Sequence, residues 1–446
     1  MNSKNNSNII NFSLGFLIVL LLVQASLLWF KFSMPQKKID SGFKSKEASM
    51  DVFMPSMLIV NLGYRQHYVL KNFKDYWKIY STDISEVLEN STNENLEMID
   101  TKTYLNLQKN ESLVFKFSSP LSGSILLNLL GENKLENNIN LSINSIYISK
   151  DNDVYIGATN NYFKLKNLKT NLEMNRLLKN AKKIGTNYIN FKEAYNINKD
   201  LLIPDSNYIQ AQDIYYKLAT DILDDNIKNN LAVRYLQTNI DYIKEIKQSE
   251  KTTYVYENKY ISFYNNGIVE YNNEENFSVP NRNLYGSIVT ALEFLFRNSG
   301  MTANIYLDKI VPVNYKDSNG YKFFFNLKES GLNLILNSKD NTFIEMEVFS
   351  DHVKSYREYY YKKDFEPATN TENLKILDIF EIINNNLSLF NLEKAEDVLT
   401  FCNNLSLVYI NKNENLSSKL NMAYEFSIND KKYYFDVLNG ELILSR

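Results

Sequence analysis

The stretch IINFSLGFLIVLLLVQASLLWF, residues 9–30, contains no charged side chain. As an α-helix with a rise of about 1.5 Å per residue it would be roughly 33 Å long, enough to cross a hydrocarbon core of about 30 Å. Lys4 and Lys31 flank it, and Trp29 and Phe30 stand where aromatic side chains gather at a membrane interface. The stretch therefore predicts an uncleaved transmembrane helix.

The alternative interpretation of this stretch is a secretory signal peptide. Val23-Gln24-Ala25 is a passable cleavage site with small residues. However, the apolar run continues through Leu27–Phe30, past the apolar core of about 7–15 residues that is typical of such signals. We therefore favour the anchor.

Charge near the helix ends does not settle its orientation. Only Lys4 precedes the helix, whereas several lysines follow it, at Lys31, Lys37, Lys38, Lys44 and Lys46. Positive charge on that side favours a cytoplasmic C-terminal region, but long domains often translocate regardless of the bias. A single cysteine in 446 residues suits an exported protein and also occurs inside cells. The residues alone leave both orientations open.

One stripe of the predicted membrane helix is rich in small and polar side chains. At about 100° per residue, the stripe consists of Asn11, Gly15, Ile18, Leu22, Ala25 and Ser26. This composition is typical of a face where a second membrane helix packs closely. In the alternative interpretation, Asn11 and Ser26 only mark the two ends of the span, and both interpretations stay open.

Composition predicts a large folded region after the helix. Hydrophobic residues make up 44% of the chain and aromatic residues 13%, with 32 Tyr and 26 Phe. Aromatic residues favour the half-buried surfaces of sheets. The net charge of −3 offers no basic surface for nucleic acid. We predict an α+β fold, with an N-terminal transmembrane helix followed by several domains of antiparallel sheets with packed helices.

Local patterns assign several elements. Residues 141–148 and 154–156 alternate in polarity around Asp151-Asn152-Asp153 and predict a β-hairpin. Asn266-Gly267 and Asn439-Gly440 predict two-residue turns of type I′. Residues 208–222 fit both the helix and the strand pattern and are left open.

The last part of the chain shows signs of duplication. A predicted helix at 287–297 is followed by strands, and a second at 392–403 is again followed by strands. The strand Tyr321-Lys-Phe-Phe-Phe325 is echoed by Tyr433-Tyr-Phe435. This arrangement is similar to the helix-plus-meander layout of PepSY-type modules.

No motif predicts catalysis, metal binding or a cofactor. His67 and His352 are far apart, and neither has a neighbouring ligand at metal spacing. Cys402 is predicted to be a buried, inert thiol on the apolar face of the helix at 392–403. Ser41-x-x-Lys44 matches a penicillin-binding signature, but it stands alone and is interpreted as chance. The chain also lacks the Gly-x-Ser-x-Gly, Walker A and Rossmann patterns.

Paired acids offer no clear catalytic pair either. Asp224-Asp225 and Glu274-Glu275 are neighbours in the chain, and adjacent side chains do not converge on one substrate. Acids that are remote in sequence can meet in the fold, so a hydrolase that uses two carboxylates stays an open alternative. The sequence does not identify which two acids would form the pair.

Several stretches are similar to one known family. They are FKFSSPLSGS (115–124), NLSINSIYISKDNDVYIGATNNYFKL (140–165), NKDLLIP (198–204), YNNGIVEYN (264–272) and the run 321–361 ending in REYYY. In this order and spacing the chain resembles the YycH family, membrane-anchored accessory regulators of the WalK/WalR (YycG/YycF) cell-wall two-component system. The final hairpins, AYEFSINDKKYYFDVLNGELIL (423–444), also resemble the related YycI.

The resemblance implies a complete organisation of the chain. It implies a cytoplasmic tail (1–8), a transmembrane helix (9–30), a juxtamembrane tether (31–50) and three extracytoplasmic domains (51–190, 191–365 and 366–446). It implies a single-pass protein of the cell membrane that modulates a sensor histidine kinase of the WalK/YycG type together with a YycI-like protein. The family has no catalytic, metal-binding or cofactor-binding residues to carry over, so no enzyme activity is expected.

An anchored envelope enzyme or a solute-binding module is the competing interpretation. Two acids that converge in a polar cleft would favour the enzyme, and a deep apolar cavity would favour a ligand-binding module. A shallow surface with exposed apolar patches would favour protein interaction.

Overall fold

The computed structural model of the protein describes residues 52, 54–70, 73–130, 141–159, 161–207, 209, 214–218, 220–298, 305–337, 342–364, 375–411, 418–428 and 431–446. The chain divides into two units, residues 1–44 and 45–446, and every described residue belongs to the second. Across these ranges no helix is both long and apolar enough to cross a bilayer. The predicted tail, membrane helix and tether lie outside the described residues, as does the predicted contact face of Asn11, Gly15, Ile18, Leu22, Ala25 and Ser26.

Helices and strands are both abundant. The helices are α1 (Lys74–Glu89), α2 (Thr101–Leu107), α3 (Gly123–Leu129), α4 (Asn175–Ile184), α5 (Phe191–Tyr195), α6 (Asp225–Leu236), α7 (Leu284–Asn298), α8 (Ile379–Asn385) and α9 (Ala395–Phe401). The first strands are β1 (Met57–Asn61), β2 (His67–Leu70), β3 (Leu96–Ile99), β4 (Ser112–Ser122), β5 (Ser142–Ser149), β6 (Asp153–Ala158), β7 (Asn161–Lys169), β8 (Gly185–Asn190), β9 (Leu202–Pro204), β10 (Ile214–Leu218), β11 (Lys244–Lys247) and β12 (Lys251–Tyr256). The remaining strands are β13 (Lys259–Tyr264), β14 (Ile268–Asn273), β15 (Ile305–Tyr315), β16 (Ser318–Glu329), β17 (Leu332–Ile335), β18 (Ile344–Phe349), β19 (His352–Tyr359), β20 (Tyr361–Asp364), β21 (Cys402–Asn411), β22 (Ser418–Ile428), β23 (Lys431–Asp436) and β24 (Leu442–Ser445).

The first sheet has nine strands in the order β3-β7-β6-β5-β4-β1-β2-β8-β9, and neighbouring strands are antiparallel. Helix α1 covers one face through Trp77, whose ring centroid lies 5.5 Å from that of Phe115. Tyr104 of α2 covers the other face, where it packs against Tyr147 and stacks on Tyr162 at 3.9 Å. Helices on both faces bury this sheet on both sides.

The second sheet has fifteen strands, with β11-β12-β13-β14-β19-β18-β16-β17-β21-β22-β10-β20 as its main path. β15 pairs with β16, and β23 joins β22 to β24. The described pairings are antiparallel except that of β17 with β21, which is parallel. Phe294 of α7 packs on Tyr271 and Tyr356 of this sheet at 5.2 and 5.3 Å. The predicted α+β class with antiparallel sheets and packed helices is confirmed.

Most predicted elements are present, with several changes in detail. β5 and β6 form the predicted hairpin, and α7 buries the predicted apolar face around Ile288 and Leu295. Asp224 caps α6, because its side chain accepts hydrogen bonds from the main-chain N–H groups of Asn226 and Ile227. Part of the stretch 208–222 that was left open forms the strand β10.

The predicted type I′ turns are wrong. Type I′ needs a positive φ at both central residues, but only Gly267 (φ +84°) and Gly440 (φ +72°) show it, and the preceding asparagines do not. The N–H of Gly267 donates to the carbonyl of Tyr264 at 3.0 Å. The first loop is thus a three-residue connection in which glycine takes the left-handed position.

Candidate functional site

A cleft of about 820 Å³ lies where the nine-stranded sheet meets the fifteen-stranded sheet. Its walls come from β1, β2, β4 and β8 on one side, and mainly from β15, β16, β21 and β22 on the other. The charged residues in its lining are Lys116, Asp308, Lys309, Glu345, Glu425, Lys432 and Arg446. Its volume falls in the range of about 300–1,000 Å³ that is typical of small-molecule sites.

The strand register is interrupted on each side of the cleft. The register of β4 against β5 jumps between Lys116 and Leu121. The register of β15 against β16 jumps between Leu307 and Lys309, which leaves Asp308 as the extra residue. An extra residue breaks the alternation of a strand and re-aims a side chain, and bulges are frequent beside functional sites. The bulge in β15 explains how a carboxylate enters the lining from a strand that begins with three buried residues.

Asp308 has few partners in the cleft. Its Oδ2 accepts a hydrogen bond from Nδ2 of Asn326 at 3.2 Å. Burial raises the pKa of the Asp308 carboxyl; Lys432 opposes this rise, and the negative charge of Glu425 adds to it. Asp308 of β15 and Glu425 of β22, two of the three acids in the lining, therefore lie near enough to interact.

The Glu425 carboxylate has more polar partners than that of Asp308. The residue is 4% exposed. Its Oε1 accepts from Nζ of Lys432 at 3.0 Å and from Nδ2 of Asn404 at 3.3 Å. Beside it, the Arg446 guanidinium lies over the ring of Tyr434, 5.2 Å from the centroid. This side of the cleft is a prearranged network of charged and polar groups.

A lysine joins the two sheets next to the cleft. Nζ of Lys328 donates to the main-chain carbonyl of Ser56 at 2.8 Å and lies 4.9 Å from the ring centroid of Tyr306. Part of the residue remains exposed, but burial of its ammonium lowers the pKa of Lys328 to about 8. A buried ammonium without a carboxylate partner is disfavoured relative to its neutral form.

We expect Lys328→Met to change how stability depends on pH. The folded protein releases the Lys328 proton at about pH 8, whereas the unfolded chain holds it until about 10.5, so wild-type stability should rise between these values. Between these pH values the free energy of unfolding of the wild type should rise by about 1–3 kcal/mol more than that of Lys328→Met. Each unit of pKa difference corresponds to about 1.4 kcal/mol, and the remaining solvent exposure of Lys328 reduces this free energy. Urea unfolding at pH 7.5–10.5 measures it. Lys309→Met, which alters an exposed lysine, serves as the control. A Lys328→Met curve parallel to that of the wild type would contradict the prediction.

The two histidines do not form a metal site. His67 is fully buried: its Nδ1 lies 2.8 Å from Oδ1 of Asn61, and its Nε2 lies 3.0 Å from Oε2 of Glu193. His352 lies at the surface, 2.8 Å from the Asp351 carboxylate. The parts of the chain that the structure describes contain no group of three or more His, Cys, Asp or Glu residues placed to hold a metal ion.

Cys402 and the adjacent acids take structural positions. Cys402 is buried, but it begins β21 rather than lying on a helical face, because α9 ends at Phe401; burial raises the pKa of its thiol to about 12. Asp225 pairs with Lys247 at 2.9 Å. Glu274 and Glu275 pair with separate lysines on different strands. Ser41 and Lys44 lie outside the described residues.

The residues of the cleft were not singled out by the sequence. Asp308 stands in the stretch IYLDKIVPV, and Glu425 in YEFSI, each as an acid within an apolar strand pattern. That interruption is the available signal, but it does not show that strands more than a hundred residues apart share one cleft.

Comparisons with known proteins do not identify a family. No protein-family model matches the chain, and no curated protein matches it. An uncharacterized protein from Eubacterium rectale ATCC 33656 is similar in structure over 52% of this chain and 85% of its own, with 11% identity and a TM-score of 0.35. The Bacillus megaterium YpeB C-terminal domain is similar over 50% of this chain and 96% of its own, with 14% identity and a TM-score of 0.28. At these scores, neither similarity identifies the fold or the function of the chain.

Proposed function

We propose that the protein is a membrane-anchored, non-enzymatic regulator that modulates a cell-wall sensor histidine kinase of the WalK/YycG type, together with a YycI-like protein. Its C-terminal region is extracytoplasmic in this proposal. The observation that carries it is the uncharged stretch 9–30, followed by a large body of sheets. The ordered resemblance to the YycH family supports the choice of partners.

Anchoring explains how modest contacts can be sufficient. A helix confined to the same bilayer as its partner meets that partner at a high effective concentration. Helix–helix packing of about 1–2 kcal/mol then produces substantial association. To change kinase activity, the protein must bind the signalling states of the kinase with different affinities.

We also propose that the C-terminal part consists of duplicated PepSY-like modules. In each candidate module a helix, α7 or α9, precedes long antiparallel strands, β15 and β16 or β21 and β22. This repeated order of elements supports a duplication.

We expect the double variant Gly15→Ile and Ser26→Ile to lose kinase contact. The larger side chains would prevent close approach of a second helix at the predicted contact face, and losing about 1–2 kcal/mol of packing reduces association about tenfold. The measurement is crosslinking in membranes of cells that produce the full-length chain with the kinase and the YycI-like protein, followed by quantification of co-purified kinase.

The matched control is Ser13→Ile with Leu27→Ile, on the opposite side of the same helix. This control should retain normal co-purification. Unchanged co-purification of the kinase with the Gly15→Ile and Ser26→Ile variant would contradict the predicted contact face. Full regulation of the kinase by a chain lacking residues 1–30 would contradict the anchored mechanism.

A solute-binding or enzymatic envelope module is the second candidate function. The specific observation in its favour is that Asp308 and Glu425, two acids from different strands, line one polar cleft. Turnover of an envelope substrate that is abolished by Glu425→Gln would establish the enzyme. Saturable binding without turnover would establish the solute-binding module.

A further inference from the structure

Of the three acids that line the cleft, Asp308 lacks an ion pair, whereas Glu345 and Glu425 each have one. Lys116 pairs with Asp200 at 2.9 Å, Glu345 with Lys322 at 2.7 Å and Glu425 with Lys432 at 3.0 Å. Among the described residues, by contrast, no lysine or arginine nitrogen lies within 4.0 Å of the Asp308 carboxylate.

A half-buried carboxylate without an ion pair is complementary to a cation. Taking an ionised carboxylate out of water is costly unless it is paired and hydrogen-bonded, and Asp308 receives a single amide hydrogen bond. Glu425 already pairs with Lys432, and Lys309, next to Asp308 in the chain, is exposed to solvent. A cationic group that enters this corner of the cleft would supply the missing partner of Asp308.

The surroundings favour an ammonium group on a small, polar, extended molecule. The described residues offer no metal-ligand cluster, whereas an ammonium needs acceptors for three N–H donors and no fixed coordination geometry. The rest of the lining alternates apolar groups such as Phe324 and Leu407 with amides such as Asn333 and Asn404. An amide-rich ligand several residues long fits both the mixed lining and the volume.

The interrupted register of β4 adds a main-chain surface for such a ligand. The register jump leaves residues 117–120 outside the ladder with β5, and Phe117 and Ser118 of this segment line the cleft. Main-chain amides of a peptide pair with groups of this kind when an extended segment docks beside a strand. Lys309 supplies positive charge in the same lining for a carboxylate end.

We propose that the cleft binds short peptides through their protonated amino terminus, with Asp308 as the carboxylate that receives the ammonium group. This inference goes beyond the proposed regulatory role, because kinase contact through residues 9–30 does not require a ligand in the cleft. If the cleft does not bind peptides, the proposed kinase regulation is unaffected, and the reverse also holds.

The test compares two peptides on the full-length protein in detergent micelles. Isothermal titration calorimetry measures the Kd of tetra-alanine and of N-acetyl-tetra-alanine, which has the same body without the ammonium. Tetra-alanine should bind at least tenfold more tightly than the acetylated form. Asp308→Asn, which keeps the size of the side chain, should weaken tetra-alanine at least tenfold and leave the acetylated peptide unchanged.

The control variant is Asp241→Asn, which alters an exposed carboxylate outside the cleft and should leave both affinities at the wild-type value. Because acetylation changes the ligand and not the protein, the peptide comparison does not depend on how Asp308→Asn folds. Equal affinity for the two peptides would overturn the proposal, and so would absence of tetra-alanine binding or unchanged binding by Asp308→Asn.

Discussion

Replacing Trp77 with alanine is expected to lower the free energy of unfolding by about 3–5 kcal/mol, the usual cost of removing a buried tryptophan. Trp77 is 1% exposed and lies on the buried face of α1. Its ring packs against Phe115 at 5.5 Å and Phe117 at 6.0 Å, so it joins the helix to β4. Truncation would leave a cavity between α1 and the sheet that the surrounding strands cannot readily fill.

Urea unfolding followed by far-UV circular dichroism measures the effect of Trp77→Ala. Ile79→Ala is the matched control on the same helix, since Ile79 is 64% exposed and its loss removes little buried surface. The control should change stability by less than about 0.5 kcal/mol. A Trp77→Ala midpoint close to that of the control would show that α1 does not pack on the sheet as described.

Removing the Glu193 carboxylate is expected to cost about 1–3 kcal/mol, because it leaves a buried polar partner unpaired. The side chains of His67 and Glu193 are 0% and 3% exposed. Oε2 of Glu193 faces Nε2 of His67 at 3.0 Å and also accepts from the main-chain N–H of Arg65 at 3.0 Å. Glu193→Ala would leave the buried His67 ring without this acceptor, whereas the exposed N–H of Arg65 can bind water instead.

A double-variant cycle tests this network. Adding His67→Leu to Glu193→Ala should recover part of the loss, because the second change removes the unpaired ring instead of leaving it buried. Glu111→Ala is the control: Glu111 pairs with Lys150 at the surface, and such exposed pairs contribute about 0–1 kcal/mol. Equal losses in the Glu111 and Glu193 variants would contradict a buried network.

Local elements were predictable where the pattern was complete within one segment. The β5–β6 hairpin and helix α7 each carry their own periodicity, and Asp224 lies directly before the helix that it caps. The stretch 208–222 fits both a helix and a strand, and its own residues do not decide between them. β10 forms there because it pairs with β20 and β22, which lie far along the chain.

The candidate site depends on contacts that no local pattern contains. Asp308 enters the cleft because of a single-residue register jump against β16. His67 meets Glu193 because β8 joins the sheet beside β2 and places α5 next to it. Sequence periodicity shows that a strand has a buried face, but not which strand lies beside it or where the ladder skips a residue.

The strand order of the second sheet also determines when this protein can finish folding during its synthesis. β10 pairs with β22, and β17 pairs in parallel with β21. Neither β10 nor β17 can form these pairings until residues beyond 400 have left the ribosome. Until then their edges stay open on the nascent chain, and open strand edges invite pairing with other chains. Pairings between remote segments form slowly, and late completion of this sheet therefore exposes the newly made protein to aggregation.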